Sequence, residues 1–204
     1  MIVGVDFDNT IVCYNGVFHS AAVERGLIPE GAPATKEGVR DALRRCGRED
    51  AWTELQGYVY GVKCREAQPF PGVVGFFLRC RREGVPVHVI SHRTRRPYRG
   101  PAYDLHRAAH EWLASRGFFD PAGAGLSPAR IHFETTKEAK SRRIAEVGCT
   151  HFVDDLPEFL ADPGFPAGVA RILFDPEGRR AAPGDVRRAG SWEEIGHLLR
   201  EFLT

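Results

Sequence analysis

Two aspartates, Asp6 and Asp8, follow the first apolar segment of the chain at a spacing of two residues. Successive side chains of a strand alternate between its faces, so both carboxylates project to one side and Phe7 to the other. Two carboxylates at close range raise each other's pKa unless a cation lies between them. An Asx-rich turn also uses these residue types, but two acids at the end of a buried strand favour a site that binds a cation.

A second acidic pair, Asp154-Asp155, follows another short apolar segment. One interpretation is helix capping, because Pro157 suits the first turn of a helix. The other is metal binding: together with Asp6 and Asp8, this pair supplies enough oxygen ligands for a hard divalent cation, and Mg²⁺ is the expected ion. Four carboxylates gathered without a cation would be energetically costly, so we predict a metal site.

Single polar residues follow two further apolar segments. Ser91 comes directly after Val85–Ile90, where its hydroxyl and nearby backbone N–H groups could bind an anionic oxygen. Lys137 stands at the predicted start of a helix, and Lys140 lies one turn further along. A serine or lysine at such a position is often simply exposed to solvent, and the sequence alone leaves open which of the two lysines binds a ligand.

These residues share one place in the predicted secondary structure, the carboxyl ends of strands. Short apolar segments without alternation predict strands buried on both faces, at Ile2–Val5, Val85–Ile90, Arg130–Phe133, Thr150–Val153 and Val169–Phe174. Helices are predicted at Val73–Glu83, Tyr103–Arg116, Lys137–Val147 and Trp192–Phe202, and Asp175–Gly190 is interpreted as a surface connection. This alternation predicts an α/β fold, a three-layer Rossmann-like parallel sheet whose ligands bind outside the carboxyl ends of the strands.

One interval interrupts the alternation. Residues 12–68 lack a buried strand pattern but contain three helical patterns, and Pro69-Phe70-Pro71-Gly72 marks the return to the core. We therefore predict a core domain formed by residues 1–11 and 69–204, with residues 12–68 inserted as a small helical cap. A cap of this size would admit a small metabolite and hinder a folded phosphoprotein. Its helical patterns are Val17–Arg25, Lys36–Cys46 and Asp50–Arg65.

The composition is that of an ordinary globular protein. The chain has 204 residues, is 43% hydrophobic and carries a formal net charge of +1. A charge near zero gives no reason to expect a nucleic-acid or membrane partner. Five scattered cysteines without a C-x-x-C pair are typical of reduced thiols, and neither a signal sequence nor a long apolar run is present. We expect a cytoplasmic protein.

Taken in order, these motifs resemble those of one superfamily. The segment Asp6-Phe7-Asp8-Asn9-Thr10, then Ser91, Lys137 and the Asp154-Asp155 pair are similar to the four motifs of the haloacid dehalogenase-like hydrolases. That superfamily places a helical cap between its first two motifs, where residues 12–68 lie. The resemblance extends from the first strand to about residue 159. Its most specific part is the D-x-D-x-T segment, whereas the serine and the lysine gain meaning from their order and spacing.

The resemblance implies a Mg²⁺-dependent phosphatase that hydrolyses a small-molecule phosphate monoester. Asp6 would be the nucleophile and form an aspartyl-phosphate. Asp8 would protonate the leaving alcohol and then activate the attacking water. An acid two residues after the nucleophile favours phosphatase or phosphotransferase chemistry, because members that resemble dehalogenases lack it.

The resemblance also implies ligands for the metal and the substrate. Mg²⁺ would be bound by Asp6, the backbone carbonyl of Asp8 and the acidic pair, with the choice between Asp154 and Asp155 left open. The residues implied to contact the phosphate ester are Ser91, Lys137 and Thr10.

A basic stretch from His92 to Arg99 follows the second motif and contains four arginines and no acid. Because arginine forks suit phosphate and carboxylate oxygens, Arg93, Arg95 and Arg96 are predicted to bind a second anionic group of the substrate. The alternative is a surface loop that pairs with acids of the cap. Two other functions stay open: a phosphatase for nucleotides or nucleic-acid ends, which would grip a strand with this loop, and a catalytically silent phosphate-binding regulatory module.

Overall fold

The computed structural model of the protein describes residues 1–201, so Phe202, the last residue of the predicted final helix, and positions 203–204 lie outside the described residues. The strands are β1 Val3–Val5, β2 Val12–Cys13, β3 Gln68–Pro69, β4 Val87–His92, β5 Ile131–Glu134, β6 His151–Asp154, β7 Ala170–Phe174 and β8 Arg187–Ala189. The helices are α1 Val17–Glu24, α2 Lys36–Arg45, α3 Glu49–Gly61, α4 Val73–Arg82, α5 Leu105–Ser115, α6 Lys137–Val147, α7 Pro157–Leu160 and α8 Trp192–Glu201.

Six strands form one sheet in the order β5-β4-β1-β6-β7-β8, and every neighbouring pair is parallel. This confirms the predicted α/β fold with a parallel sheet. The chain fills one side of β1 with β4 and β5, and then crosses to the other side with β6. The strand order therefore reverses beside β1, and ligands of open α/β sheets bind outside the carboxyl ends of the strands at such a point.

The prediction that Asp175–Gly190 is only a surface connection is wrong for its last part. β8 pairs with β7 at the edge of the sheet, although two of its three residues are exposed arginines and Ala189 alone is buried. An edge strand is held by backbone hydrogen bonds and needs little apolar surface of its own. The apolar pattern that predicts central strands is therefore missing here.

The sheet is held on its helices by an apolar core. Phe152 of β6 packs with residues of α6, α7 and β7, including Ile144, Phe159 and Leu173. Gly4 of β1 leaves room for this ring, since a Cβ atom built on Gly4 would lie 2.5 Å from it. At the end of α6, Gly148 adopts a left-handed conformation with φ 72° and caps the helix as predicted.

The chain divides into two compact units. The first contains residues 1–12, 69–92 and those from 116 onward, with the six-stranded sheet; the second contains residues 13–68 and 93–115, with α1, α2, α3 and α5. The predicted division places residues 93–115 in the core domain, whereas their contacts group them with 13–68. Among the described residues, no helix has both the length and the apolar character required to cross a membrane.

The second unit has an aromatic core of its own. The Phe18 ring packs on Trp52 at a centroid distance of 5.2 Å and on Tyr60 at 5.6 Å. Trp112 of α5 is buried, and its indole N–H donates a hydrogen bond to the Ala67 carbonyl over 2.9 Å. Phe18, Trp52 and Trp112 are buried in the interior of the unit, whereas Tyr98 is 81% exposed.

Candidate active site

Three aspartates meet at the carboxyl edge of the sheet. Each of Asp6, Asp154 and Asp155 is buried and offers a carboxylate oxygen, and these oxygens lie within 4.8 Å of one another. The register explains why they meet: β1 and β6 are neighbours with Val5 opposite Val153, and the Asp6 N–H donates to the Val153 carbonyl over 2.9 Å. The first and fourth motifs thus converge beside β1, where the strand order reverses.

A buried lysine lies between two of these carboxylates. The Lys140 ammonium is 2.6 Å from Oδ1 of Asp6 and 2.6 Å from Oδ2 of Asp154, and its side chain is only 2% exposed. The Phe159 ring covers it, with the ammonium 4.3 Å from the ring centroid. Lys140 therefore provides the positive charge that compensates the buried acids.

Lys137, which the resemblance implies as a contact of the phosphate ester, does not contact the three clustered aspartates among the described residues. Its side chain is exposed at the first turn of α6, and it lines a surface cavity together with Ser141 and Arg142. Lys140 lies four residues before the buried Ile144 and so shares the buried face of the helix. Lys137, the first residue of α6, lies seven residues before Ile144 and thus at a similar helical phase, so the local pattern does not separate the two lysines.

Burial and charge shift the acid–base behaviour of the pair. Burial raises the pKa of Asp6 well above its usual range, Asp154 and Asp155 raise it further, and Lys140 opposes them. Burial by itself would lower the pKa of Lys140, but Asp154 and Asp6 outweigh it and the pKa rises. The lysine therefore stays protonated in the site.

Hydrogen bonds fix some carboxylate oxygens and leave another available. Oδ1 of Asp154 accepts from the Leu156 N–H over 2.9 Å, so both of its oxygens have donors. Lys140 contacts only Oδ1 of Asp6, and in residues 1–201 no hydrogen-bond partner is present for its Oδ2. The Asp6 carboxylate thus keeps one oxygen for a ligand or a reacting group.

Asp155 is held from a different segment. The Arg180 guanidinium contacts both the Asp155 carbonyl oxygen and its Oδ2, the latter at 3.1 Å. Asp175, directly after β7, organises the loop that carries this arginine, because its carboxylate accepts from the backbone N–H groups of Arg179 and Arg180 at 3.2 and 2.9 Å. Sequence reasoning missed Arg180, since nothing in the local pattern indicates where a loop arginine reaches.

The first motif turns sharply after Asp8. Asn9 adopts a left-handed conformation with φ 57°, which asparagine tolerates better than most residues, and the N–H groups of Ile11 and Val12 both donate to the Phe7 carbonyl. Asp8 is half-buried. Within the described chain, its carboxylate is not one of the clustered oxygens; the predicted ligand from Asp8 is its backbone carbonyl, and that stays a prediction.

The hydroxyls of Thr10 and Ser91 have no hydrogen-bond partner among residues 1–201. Thr10 is fully buried, and its Oγ1 has no hydrogen bond. Ser91, near the end of β4, is 1% exposed, and its hydroxyl likewise has no hydrogen-bond partner in the part of the chain described. For Thr10, whose Oγ1 is itself buried, the missing hydrogen bond costs about 1–3 kcal/mol, a cost that is recovered where a bound ligand supplies the hydrogen bond.

The arginine-rich segment belongs to the second unit, and Arg93 is buried there. Its Nε donates to the Leu105 carbonyl over 3.0 Å and its Nη2 to the Tyr60 carbonyl over 2.9 Å. The guanidinium carbon also lies 5.1 Å from the centroid of the Tyr60 ring. These contacts join α3, α5 and the segment between β4 and α5, so Arg93 stabilises the unit that contains it.

The other arginines of this segment are exposed. Arg95 makes a loose ion pair with Asp104 at 3.4 Å, and Arg96 has no side-chain partner among the described residues. Arg99 pairs with Asp50 and Glu54 of α3. The interpretation of a surface loop that pairs with acids of residues 12–68 therefore describes Arg99, while Arg95 and Arg96 keep the exposure that anion binding requires.

The donor set at the carboxyl edge fits a hard divalent cation. Mg²⁺ binds carboxylate and carbonyl oxygens and usually keeps several waters, and Asp6, Asp154 and Asp155 gather such oxygens in one buried place. An oxygen that already accepts a hydrogen bond has a second lone pair, so the contacts of Lys140 do not prevent ligation. The residues present are therefore suited to Mg²⁺.

Comparison with known proteins gives the fold but no close relative. No protein-family model matches the sequence, and no curated protein matches it significantly. Solved structures match over nearly the whole chain. A predicted phosphoglycolate phosphatase of Haemophilus somnus is 13% identical, with 97% of each chain covered and a TM-score of 0.59.

Two further structures were solved with ions bound. A haloacid dehalogenase-family hydrolase of Deinococcus radiodurans with bound phosphate and sodium is 16% identical, with 98% of this chain and 95% of that chain covered and a TM-score of 0.58. One of Bacillus subtilis bound to magnesium is 14% identical, with 97% of each chain covered and a TM-score of 0.56. Dehalogenases are also among the similar structures. The chain therefore has the fold of the haloacid dehalogenase-like hydrolases, as the resemblance of its motifs predicts.

Proposed function

We propose that the protein is a Mg²⁺-dependent phosphatase that hydrolyses a small-molecule phosphate monoester through an aspartyl-phosphate. The observation that carries the proposal is the buried cluster of Asp6, Asp154 and Asp155 with Lys140 at the carboxyl edge of the sheet. A buried acidic cluster with its own lysine is costly to maintain for structure alone. It is well suited to bind a cation and an anion together.

The proposed reaction has two displacements. A carboxylate oxygen of Asp6 attacks phosphorus, a phosphorus–oxygen bond to Asp6 forms, and the bond to the ester oxygen breaks. Asp8 gives its proton to the leaving alkoxide. Asp8 then takes a proton from water, the water oxygen bonds to phosphorus, and the bond to Asp6 breaks to release inorganic phosphate. Asp6 and Asp8 return to their starting states.

The remaining residues stabilise charge during both steps. Asp6, the carbonyl of Asp8 and the acidic pair would hold Mg²⁺, which when bound neutralises the repulsion between Asp6 and the phosphate. Lys140 orients Asp6 and carries the positive charge first assigned to Lys137. The Ser91 and Thr10 hydroxyls, which have no hydrogen-bond partner in the described part of the chain, would donate to phosphate oxygens.

Asp8 favours a phosphatase over a dehalogenase within this fold, because ester cleavage needs an acid for the leaving alcohol. The choice of a small, phosphorylated metabolite rests on the predicted cap and on the near-neutral charge of the chain, which gives no support for a nucleic-acid or membrane partner. The proposed cytoplasmic location rests on the cysteine pattern and the composition. Exposed Arg95 and Arg96 would select esters with a second anionic group.

The experiment is a panel of phosphate esters assayed with Mg²⁺ and with EDTA, beside the Asp6→Asn and Asp8→Ala variants. We expect phosphate release with Mg²⁺, loss of activity in EDTA, and loss in Asp6→Asn. Activity that survives in Asp6→Asn would exclude the nucleophile assignment, and full activity in EDTA would exclude the metal. A panel without turnover would support the silent binding module instead.

A further inference from the structure

Arg180 lies outside the four motifs, yet it contacts one of the clustered aspartates. One of its nitrogens, Nη1, contacts the backbone carbonyl of Asp155 and also Oδ2 of its carboxylate, at 3.1 Å for the latter. Asp155 is 4% exposed and the Arg180 side chain is 30% exposed, so the carboxylate end of this ion pair is buried and the arginine is partly open to solvent. Contact with both the main chain and the side chain restricts the position of the residue and the rotation of its carboxylate.

The loop that presents Arg180 is itself fixed. Asp175 is 4% exposed, and its two carboxylate oxygens accept from the N–H groups of Arg179 and Arg180. Because Asp175 directly follows β7, the loop starts at the same edge of the sheet as the acidic cluster. The chain of contacts therefore runs from the end of β7, through Asp175 and Arg180, to Asp155 at the end of β6.

The charges show why a second cation is needed. Lys140 contacts Asp6 and Asp154, whereas Arg180 contacts Asp155, so each buried acid of the cluster has a cationic partner. Without Arg180, Asp155 would rotate away from the other two acids to reduce repulsion. Groups that hold a metal ligand in place commonly contribute 10–100-fold to metal affinity.

We propose that Arg180 is a positioning residue, which holds the Asp155 carboxylate beside Asp6 and Asp154 in the orientation that binds the divalent cation. This inference rests on the proposed Mg²⁺ site. It assigns a role to a loop that neither the motifs nor the comparisons identify. It also requires that the loss of Arg180 weakens cation binding, although the removal of a positive charge alone would strengthen it.

The test is isothermal titration of the full chain with Mg²⁺ in wild type, Arg180→Ala, Arg180→Lys and Arg179→Ala. Arg179 is the matched control, since it belongs to the same loop but its side chain is 64% exposed and pairs with Glu177. We expect about 10-fold weaker Mg²⁺ binding in Arg180→Ala, partial recovery in Arg180→Lys, and no change in Arg179→Ala. Thermal melts in EDTA verify that each variant is folded.

Unchanged or tighter binding by Arg180→Ala would overturn the inference, as would an equal loss in Arg179→Ala. If Arg180→Ala fails to fold, Arg180→Lys becomes the deciding variant, and its structure shows whether the contact with Asp155 is lost. If that contact is lost and the variant still has wild-type Mg²⁺ affinity and wild-type Mg²⁺ dependence of phosphate release, the inference is overturned. If the wild type itself binds no Mg²⁺, the metal site of the proposed function fails and this inference fails with it. A wild type that binds Mg²⁺ but lacks phosphatase activity separates the two, because the titration still tests Arg180.

Discussion

Replacement of Lys140 by methionine tests the charge balance of the site. Methionine keeps much of the side-chain length but removes the ammonium that contacts Asp6 and Asp154 at 2.6 Å. At an effective dielectric constant of about 20, each contact is worth about 6 kcal/mol before the cost of desolvation. Breaking a buried pair by removal of one partner usually costs about 3–5 kcal/mol net, because the other charge stays buried.

The expected loss is large for this chain. At about 2–4 °C per kcal/mol for a protein of this size, Lys140→Met should melt about 6–20 °C lower than the wild type in EDTA. Lys137→Met is the matched control, since Lys137 is exposed on the same helix, and its melting temperature should stay near that of the wild type. The measurement is a thermal melt monitored by circular dichroism, with urea unfolding as a second estimate of the free energy.

The pH dependence has a definite sign. The folded-state pKa of Lys140 is raised above its ordinary value of 10.5, so its stabilisation is fully present below pH 10.5 and is lost as the pH rises through the folded-state pKa. The difference in unfolding free energy between wild type and Lys140→Met should stay constant up to pH 10.5 and shrink as the pH rises further. Equal melting temperatures for wild type and Lys140→Met, or an equal loss in Lys137→Met, would refute the reasoning.

Three further predictions concern stability. The folded-state pKa of Asp6 is raised, so ionised Asp6 costs stability as the pH rises above 3.8, the ordinary pKa of the group. In EDTA, Asp6→Asn should therefore have a higher free energy of unfolding than the wild type at pH 8, and the difference should be smaller at pH 4. Urea unfolding at both pH values measures this, and a larger difference at pH 4 would contradict the prediction. Arg93→Ala should lower the free energy of unfolding by about 2–4 kcal/mol, because two carbonyls lose a charged donor. The control Arg96→Ala, at an exposed position, should change it by less than about 0.5 kcal/mol. Equal unfolding midpoints for the two variants would contradict a structural role of Arg93. Gly4→Ala should lower the free energy of unfolding by about 1–3 kcal/mol, because its Cβ would lie 2.5 Å from the Phe152 ring. Gly75→Ala, in open space on a helix, should raise it by about 0.5–1 kcal/mol. Denaturant midpoints measure both changes, and an unchanged midpoint for Gly4→Ala would show that the ring can move.

Most of the fold follows from local pattern. Five of the six strands of the sheet are predicted to within a few residues, because a strand that is buried or half-buried in the sheet needs a largely apolar sequence. α6 is predicted with its observed ends, since Thr136 caps its first turn and Gly148 its last. β8 is missed because an edge strand of two exposed arginines and one alanine has no such requirement.

The site divides in a similar way. The convergence of Asp6 with Asp154 and Asp155 is predictable, because parallel neighbouring strands end at the same edge. The sequence does not distinguish Lys137 from Lys140, since both occupy similar positions in the motif and lie at similar helical phases relative to the buried Ile144.

The sequence by itself determined the class of fold and the edge at which the acids gather, because backbone periodicity and motif order are local properties of the chain. Tertiary structure decided which basic side chain pairs with which carboxylate: Lys140 pairs with Asp6 and Asp154, and Arg180 pairs with Asp155. It also placed the buried Arg93 against carbonyls of its own unit. Such pairings depend on the direction in which long side chains leave distant segments, and no local pattern contains that information.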